Sequence, residues 1–173
     1  HGLVDRRLRP RLSAGQVTRA LPIPVTLAGC AARPPPAPAV ERAPAFTAAM
    51  LGGGEQAFEP AHLVHPTLFV FWASWCTSCK EELPLVRDLD RARKGTLDIF
   101  GVSVDEQPDR AETYARDAQL PYPSFTDATL VVADKFGVKG TPSFVLVAKT
   151  GEVRYVGKSV DQGLLSAIDL AVQ

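Results

Sequence analysis

A continuous apolar run followed closely by two cysteines constrains this chain more than any other feature. The run, Thr67–Trp72, reads TLFVFW, and Cys76 and Cys79 come shortly after it. An unbroken apolar, aromatic-rich run of this length is typical of a strand buried on both faces of a sheet. From 76 to about 93 the apolar residues recur at helical spacing with charged residues between them. The sequence therefore predicts that Cys76 stands where a buried strand leads into an amphipathic helix.

A position at the start of a helix gives this cysteine pair a chemical bias. Unpaired backbone N–H groups and the positive end of the helix dipole stabilise an anion there, and a thiolate is such an anion. Cys79 lies one turn later on the same face, where we expect it to be shielded behind the first thiol. This geometry suits a cycle in which Cys76 attacks a substrate disulfide and Cys79 resolves the mixed disulfide.

Two other uses of the pair have less support from the residues. A structural zinc site needs two more ligands, and the candidates are His62 and His65 in a loop without any further metal-binding pattern. A permanent disulfide across so short a step closes almost no loop, so it would stabilise the fold little. Redox chemistry is therefore favoured, with no resident metal or cofactor. Cu(I) transfer by the same two thiols stays open as an alternative function, although the only methionine, Met50, lies outside the motif.

The N-terminal residues differ from the rest of the chain. Residues 1–29 contain five arginines and one acidic residue, and they end in a short apolar stretch, which is the order of an export signal. The stretch closes with LAGC, which resembles the lipobox of bacterial lipoproteins, whose cysteine, here Cys30, carries the lipid. Residues 30–42 are rich in proline and alanine and predict a semi-rigid tether. We therefore expect a domain at 43–173 that is lipid-anchored outside the cytoplasm, in the periplasm or at the outer face of the cytoplasmic membrane. Because the basic excess is confined to 1–29, no nucleic-acid partner is indicated.

Strand-like and helix-like segments alternate along residues 43–173. After the first strand and helix, the pattern predicts a second buried strand, two short helices, a hairpin and a final amphipathic helix. Their predicted bounds are Thr96–Asp105, Asp109–Ala118, Leu130–Phe136, Ser143–Val147 with Glu152–Val156, and Asp161–Val172. Alternation that ends in a hairpin predicts a three-layer α/β domain with a central mixed sheet and helices on both faces.

The segment FWASWCTSCKEELP, residues 71–84, resembles the active-site segment of thioredoxin-fold proteins. Within that fold it is most similar to the extracytoplasmic TlpA/ResA/DsbE family. Three further stretches fit in order: APAF at 43–46 resembles the opening of the family's N-terminal hairpin, 105–128 its helical insertion, and 136–155 its cis-proline loop and closing hairpin. The resemblance implies a thioredoxin-like fold over 43–173 and a thiol-disulfide oxidoreductase.

The resemblance also implies roles for residues around the cysteines. Cys76 would be the exposed nucleophile and Cys79 the resolving thiol, with Trp75 as an apolar platform beside them. Glu82 matches the glutamate of the family's C-x-x-C-x-x-E-x-P pattern and could relay the proton of Cys79. Many thioredoxins carry a buried acid six residues before the first cysteine, where this chain has Val70. Proton transfer would therefore fall to Glu82 or to water.

The tripeptide Gly140-Thr141-Pro142 resembles the cis-proline loop of the same family. A cis bond before Pro142 would turn the backbone toward the cysteines, so Thr141 would pair with a bound substrate as a short β-bridge. The implied function is reduction of disulfides in exported proteins, with apocytochrome c as the substrate type that the branch suggests. Electrons would come from a membrane thiol–disulfide donor, and we expect the protein to be a monomer.

Overall fold

The computed structural model describes residues 42–173. The predicted signal segment 1–29, Cys30 and nearly all of the tether at 30–42 lie outside the described residues. Within the described part the chain forms, in order, a hairpin, a buried strand, a long helix and a series of alternating strands and helices. These elements are β1 (Phe46–Ala49), β2 (Glu55–Phe58), a 3-10 turn (Pro60–His62), β3 (Thr67–Trp72), α1 (Thr77–Ala92), β4 (Asp98–Ser103), α2 (Pro108–Asp117), β5 (Ser124–Thr126), α3 (Val131–Lys135), β6 (Ser143–Val147), β7 (Val153–Gly157) and α4 (Gln162–Ala171).

The central sheet has five strands in the order β5-β4-β3-β6-β7, and β1 pairs with β2 in a separate antiparallel hairpin. Strand β3 runs parallel to β4 and antiparallel to β6. It is therefore the middle strand, and all six of its residues are buried. The mixed sheet and the N-terminal hairpin predicted from the sequence are confirmed.

Alternate residues of β3 enter two different cores, because successive side chains of a strand point to opposite faces of its sheet. Leu68, Val70 and Trp72 pack in a cluster that includes buried residues of α1, α2 and α4. Phe69 and Phe71 pack in a second cluster with residues of α3 and the N-terminal hairpin. Helices thus cover both faces, and the three-layer prediction is confirmed.

The short strand β5 is the main element that sequence reasoning missed. The prediction treated 105–128 as a helix-containing insertion, whereas Ser124–Thr126 pairs in parallel with β4 at the sheet edge. Three residues are too few to show a strand period, so this strand is defined only by its pairing partner. The partner at that position is Gly101, where an added Cβ would lie 2.1 Å from the Oγ atom of Ser124. Glycine at this position thereby leaves room for the Ser124 side chain of β5.

None of the helices between residues 42 and 173 has the length and hydrophobicity that a membrane crossing requires.

Candidate active site

The two cysteines lie at the start of α1, and three residues separate Cys76 from the end of β3. Cys76 is the N-cap residue, with extended backbone, and its Sγ atom accepts a hydrogen bond of 3.2 Å from the backbone N–H of Cys79. The two sulfur atoms are joined in a disulfide with an S–S distance of 2.05 Å. The pair therefore occupies the helix end where backbone donors and the helix dipole favour a sulfur anion at Cys76 once the disulfide is reduced.

The exposure of the two cysteines differs from the prediction. In the disulfide form Cys76 is only 5% exposed, whereas Cys79 is partly exposed. The expectation that Cys76 is the more accessible of the two is therefore wrong for this state. As the N-cap, Cys76 has its sulfur at the first helical turn, where it is bonded to the sulfur of Cys79 and accepts the backbone N–H of Cys79.

The turn that leads into Cys76 is held by a buried carboxylate, Asp105. Asp105 is 4% exposed and accepts hydrogen bonds from the backbone N–H of Ser74 at 2.8 Å and from its hydroxyl at 2.6 Å. The hydroxyl of Ser103 donates a third bond of 3.0 Å. Within the turn, the N–H of Cys76 donates to the carbonyl of Ala73 at 3.1 Å. Asp105 thus fixes the residue that precedes Trp75 and Cys76.

Sequence reasoning did not single out Asp105, although a signal for it exists. The residue follows the end of β4 after one intervening residue, and β4 runs parallel to β3, which leads to the cysteines. The carboxyl ends of parallel strands meet at one edge of a sheet, which is the usual place for functional groups in α/β folds. A polar residue at the end of the second predicted strand, Thr96–Asp105, was therefore a candidate neighbour of the cysteine loop, residues 73–76.

The cis-proline loop lies beside the same edge. The Thr141–Pro142 peptide bond is cis, as predicted. Thr141 and Trp75 both line a cavity of about 600 Å³, together with Asp105 and apolar residues that include Val104, Leu130 and Val138. Trp75 is 65% exposed, whereas Trp72 belongs to the core. The structure thus brings the cysteine loop and the cis-proline loop to one open cavity.

The carboxylate of Glu82, expected to act on Cys79, makes a contact that the sequence did not predict. It lies on α1 one turn beyond Cys79, is partly buried, and accepts a hydrogen bond of 2.8 Å from the N–H of Val160 in the loop between β7 and α4. Tyr155 and Asp161 bond to each other at 2.9 Å near that loop. Burial and, as the second cause, the hydrogen bond to Asp161 raise the pKa of Tyr155 to about 12. Glu82 therefore joins α1 to this loop, in addition to lying three residues after Cys79.

Side chains suited to metal binding are sparse around the pair. Residues 42–173 contain no group of three or more His, Cys, Asp and Glu side chains placed to share one ion. His65 contacts Asp98 at 3.4 Å. Met50 forms a β-bridge to Phe125 at the end of the N-terminal hairpin. Among the described residues, no His, Asp or Glu side chain thus forms a three-ligand group with the two cysteines.

Comparison with known proteins decides the family. A family model described as the AhpC/TSA family matches residues 40–156, well over half of the chain. This chain belongs to the AhpC/TSA family. The thiol:disulfide interchange protein CycY of Rhizobium leguminosarum bv. viciae is 32% identical over 113 residues, which are 61% of this chain and 60% of CycY. The thiol-disulfide oxidoreductase ResA of Geobacillus thermodenitrificans is 30% identical over 87 residues, 50% of each protein.

The fold of this AhpC/TSA-family chain is also similar to that of a solved structure. The structure of MTB dsbF, in mixed oxidised and reduced forms, matches with a TM-score of 0.64 and 25% identity, covering 74% of this chain and 95% of dsbF. These similarities confirm the thioredoxin-like fold and the resemblance to the TlpA/ResA/DsbE type. The chain spans 60% of the length of CycY and 50% of that of ResA.

Proposed function

We propose that this protein is a thiol-disulfide oxidoreductase that reduces disulfides in exported proteins through Cys76 and Cys79. One observation carries the proposal. The two cysteines form a disulfide at the N-terminus of α1, with Cys76 as the N-cap, and their loop shares a cavity with the cis-proline loop. A dithiol at a helix start favours the thiolate that exchange requires. The relatives CycY and ResA, whose names describe thiol-disulfide chemistry, support the same activity.

The exchange proceeds in two balanced steps. The Cys76 thiolate attacks one sulfur of the substrate disulfide, so an intermolecular S–S bond forms and the other substrate sulfur leaves as a thiolate. The Cys79 thiolate then attacks the Sγ atom of Cys76, which releases the second substrate sulfur and forms the Cys76–Cys79 disulfide. Two electrons pass from the protein to the substrate, and the departing thiolates take up protons. A membrane thiol–disulfide donor must then reduce the protein again.

The cavity supplies a place for the substrate chain. Trp75 offers an exposed apolar surface directly before Cys76, and Thr141 lies at the cavity wall on the cis-proline side. An extended substrate segment would pair its backbone with Thr141 while its cysteine faces Cys76. Pro142 cannot donate a backbone hydrogen bond, so this pairing relies on Thr141.

The proposed cellular setting follows from the N-terminal residues. Lipidation of Cys30, which would become the N-terminus when 1–29 are removed, would hold the domain outside the cytoplasm at the end of the 30–42 tether. Substrates there are exported proteins with cysteine pairs, and apocytochrome c is the type we propose. The protein would work as a monomer.

A trapping experiment tests this function. Without Cys79 the second step is blocked, so reduced Cys79→Ser should accumulate a mixed disulfide on Cys76 with its substrate, detected by the mass of the adduct. Cys76→Ser is the matched control and should trap no substrate. Equal trapping by both variants would contradict the assignment of Cys76 as nucleophile, and no adduct with either would overturn the function.

A Glu82→Gln variant tests proton relay by this carboxyl group. The glutamine side-chain oxygen can still accept the N–H of Val160, so the fold is kept while the proton-transferring group is lost. We expect resolution of the mixed disulfide to slow by about 100-fold or more, the low end for general acid–base catalysis. Stopped-flow rates between pH 5 and 9 would measure it, with the exposed neighbour Glu81→Gln as control. Equal rates in both variants would remove Glu82 from the mechanism.

A further inference from the structure

The loop after β7 carries a lysine whose ammonium group contacts the cis-proline loop directly. The Nζ atom of Lys158 donates to the carbonyl of Gly140 at 2.8 Å and to the hydroxyl oxygen of Ser143 at 2.8 Å. The Ser143 hydroxyl in turn donates to the same Gly140 carbonyl at 2.6 Å. These three groups form a closed ring of hydrogen bonds that links the two residues flanking Thr141 and Pro142. Both ends of the cis-proline segment are therefore tied to one side chain.

The sheet places this lysine where it is needed. Gly157, the last residue of β7, is paired with Phe144 of β6, so the chain leaves the sheet next to Ser143. Among residues 42–173 no carboxylate lies within ion-pair distance of the Lys158 ammonium group. Its contacts in that range are the two neutral acceptors of the cis-proline loop. A hydrogen bond from a charged donor is stronger than one between neutral groups.

The same loop also contacts the cysteine helix. Two residues after Lys158, the N–H of Val160 donates to the Glu82 carboxylate on α1. The loop 158–160 is thus bonded to both halves of the candidate site, to the helix of the cysteines and to the segment that would pair with substrate. A shift of this loop would change the position of Thr141 relative to Cys76.

We propose that Lys158 is a positioning residue that holds the Gly140–Ser143 segment in the conformation in which Thr141 pairs with the substrate backbone. This inference rests on the proposed function. Lys158 does not contact the reacting sulfurs in this proposal; it acts through the backbone of the cis-proline loop. Its loss should therefore affect substrates that use backbone pairing more than substrates that have no backbone.

Two neutral probes separate these effects. One is a short uncharged peptide with a disulfide, which can pair with Thr141, and the other is dipyridyl disulfide, which has no peptide backbone. For reduced Lys158→Met we expect the ratio of the peptide rate constant to the dipyridyl disulfide rate constant to fall about 5-fold, as for the loss of one hydrogen bond. Lys158→Arg can still donate to both acceptors and should keep most of the ratio. Lys149→Met, which removes an exposed lysine in the turn between β6 and β7, is the charge-matched control and should keep the wild-type ratio.

The outcomes separate the positioning role from the proposed function. Wild-type protein that reacts with neither probe would contradict the oxidoreductase activity itself. Wild-type protein that reacts with both, and a Lys158→Met variant with the wild-type ratio, would overturn the positioning role alone. A parallel loss of both rates in Lys158→Met would also overturn it, because general distortion of the site moves both probes together.

Discussion

Replacement of Asp105 by alanine is expected to lower the free energy of unfolding by about 2–3 kcal/mol, since three hydrogen-bond donors lose their acceptor. The donors are the N–H and hydroxyl of Ser74 and the hydroxyl of Ser103. Two effects limit the loss. Removal of a buried charge relieves its desolvation, and Asp105 lines the cavity, from which water can reach the freed donors. Urea unfolding of the oxidised protein measures the change.

The same substitution should slow alkylation of Cys76 in the reduced protein. Asp105 fixes Ser74, and the turn Ala73–Cys76 sets how the cysteine begins α1. Asp105→Asn keeps the size and one acceptor oxygen, so we expect a smaller loss in both measurements. Glu112→Ala, an exposed acidic position on α2, should change stability by less than about 0.5 kcal/mol. If Asp105→Ala were no more destabilising than Glu112→Ala, the hydrogen bonds of Asp105 to Ser74 and Ser103 would contribute nothing measurable to the free energy of unfolding.

Replacement of Phe69 by alanine should cost about 3–5 kcal/mol of unfolding free energy, the usual range for a phenylalanine lost from a core. Phe69 is fully buried in the middle strand and its ring lies 4.8 Å from that of Phe58 and 5.2 Å from that of Phe136, measured between centroids. It therefore joins the N-terminal hairpin and the end of α3 to the sheet. A loss of this size is a large fraction of the stability of an ordinary domain, which is about 5–15 kcal/mol.

A second phenylalanine gives a matched control for that prediction. Phe100 on β4 also contacts Phe69, with ring centroids 6.4 Å apart, but it is only partly buried. Phe100→Ala should therefore cost less than half as much, because less apolar surface returns to water. Urea unfolding of both variants in the oxidised form makes the comparison, and Phe69→Leu provides a measurable substitute should Phe69→Ala fail to fold. Equal losses for Phe69→Ala and Phe100→Ala would contradict the assignment of Phe69 to the core.

Strong local patterns in the sequence were sufficient for most of the fold. The strands Thr67–Trp72 and Ser143–Val147 match their predicted bounds, because an apolar run between polar residues is a local signal. The helix at 77–92 was equally clear from its apolar spacing. The strand Ser124–Thr126 was missed because its only signal is the backbone of β4 beside it.

The features of the candidate site also fall into two groups, those that local sequence motifs predicted and those that they did not. Cys76, Cys79 and the cis bond before Pro142 were predicted from motifs, since the residues of each motif are neighbours in the sequence. Contacts between segments distant in the chain were not accessible. Examples are Asp105 with Ser74, and Val160 with Glu82, whose backbone bond was not expected from the position of this glutamate on its helix.

By itself the sequence determined the chemistry of this protein: two thiols at a helix start after a buried strand, on a thioredoxin-like fold. Only the tertiary structure decided how those thiols are surrounded. It covered Cys76 in the disulfide form, placed Asp105 under the cysteine loop and bound Lys158 to the cis-proline segment. The physical reason is that helix starts and buried strands are defined by neighbours in sequence. Hydrogen-bond partners across a sheet edge are defined only when distant segments pack together.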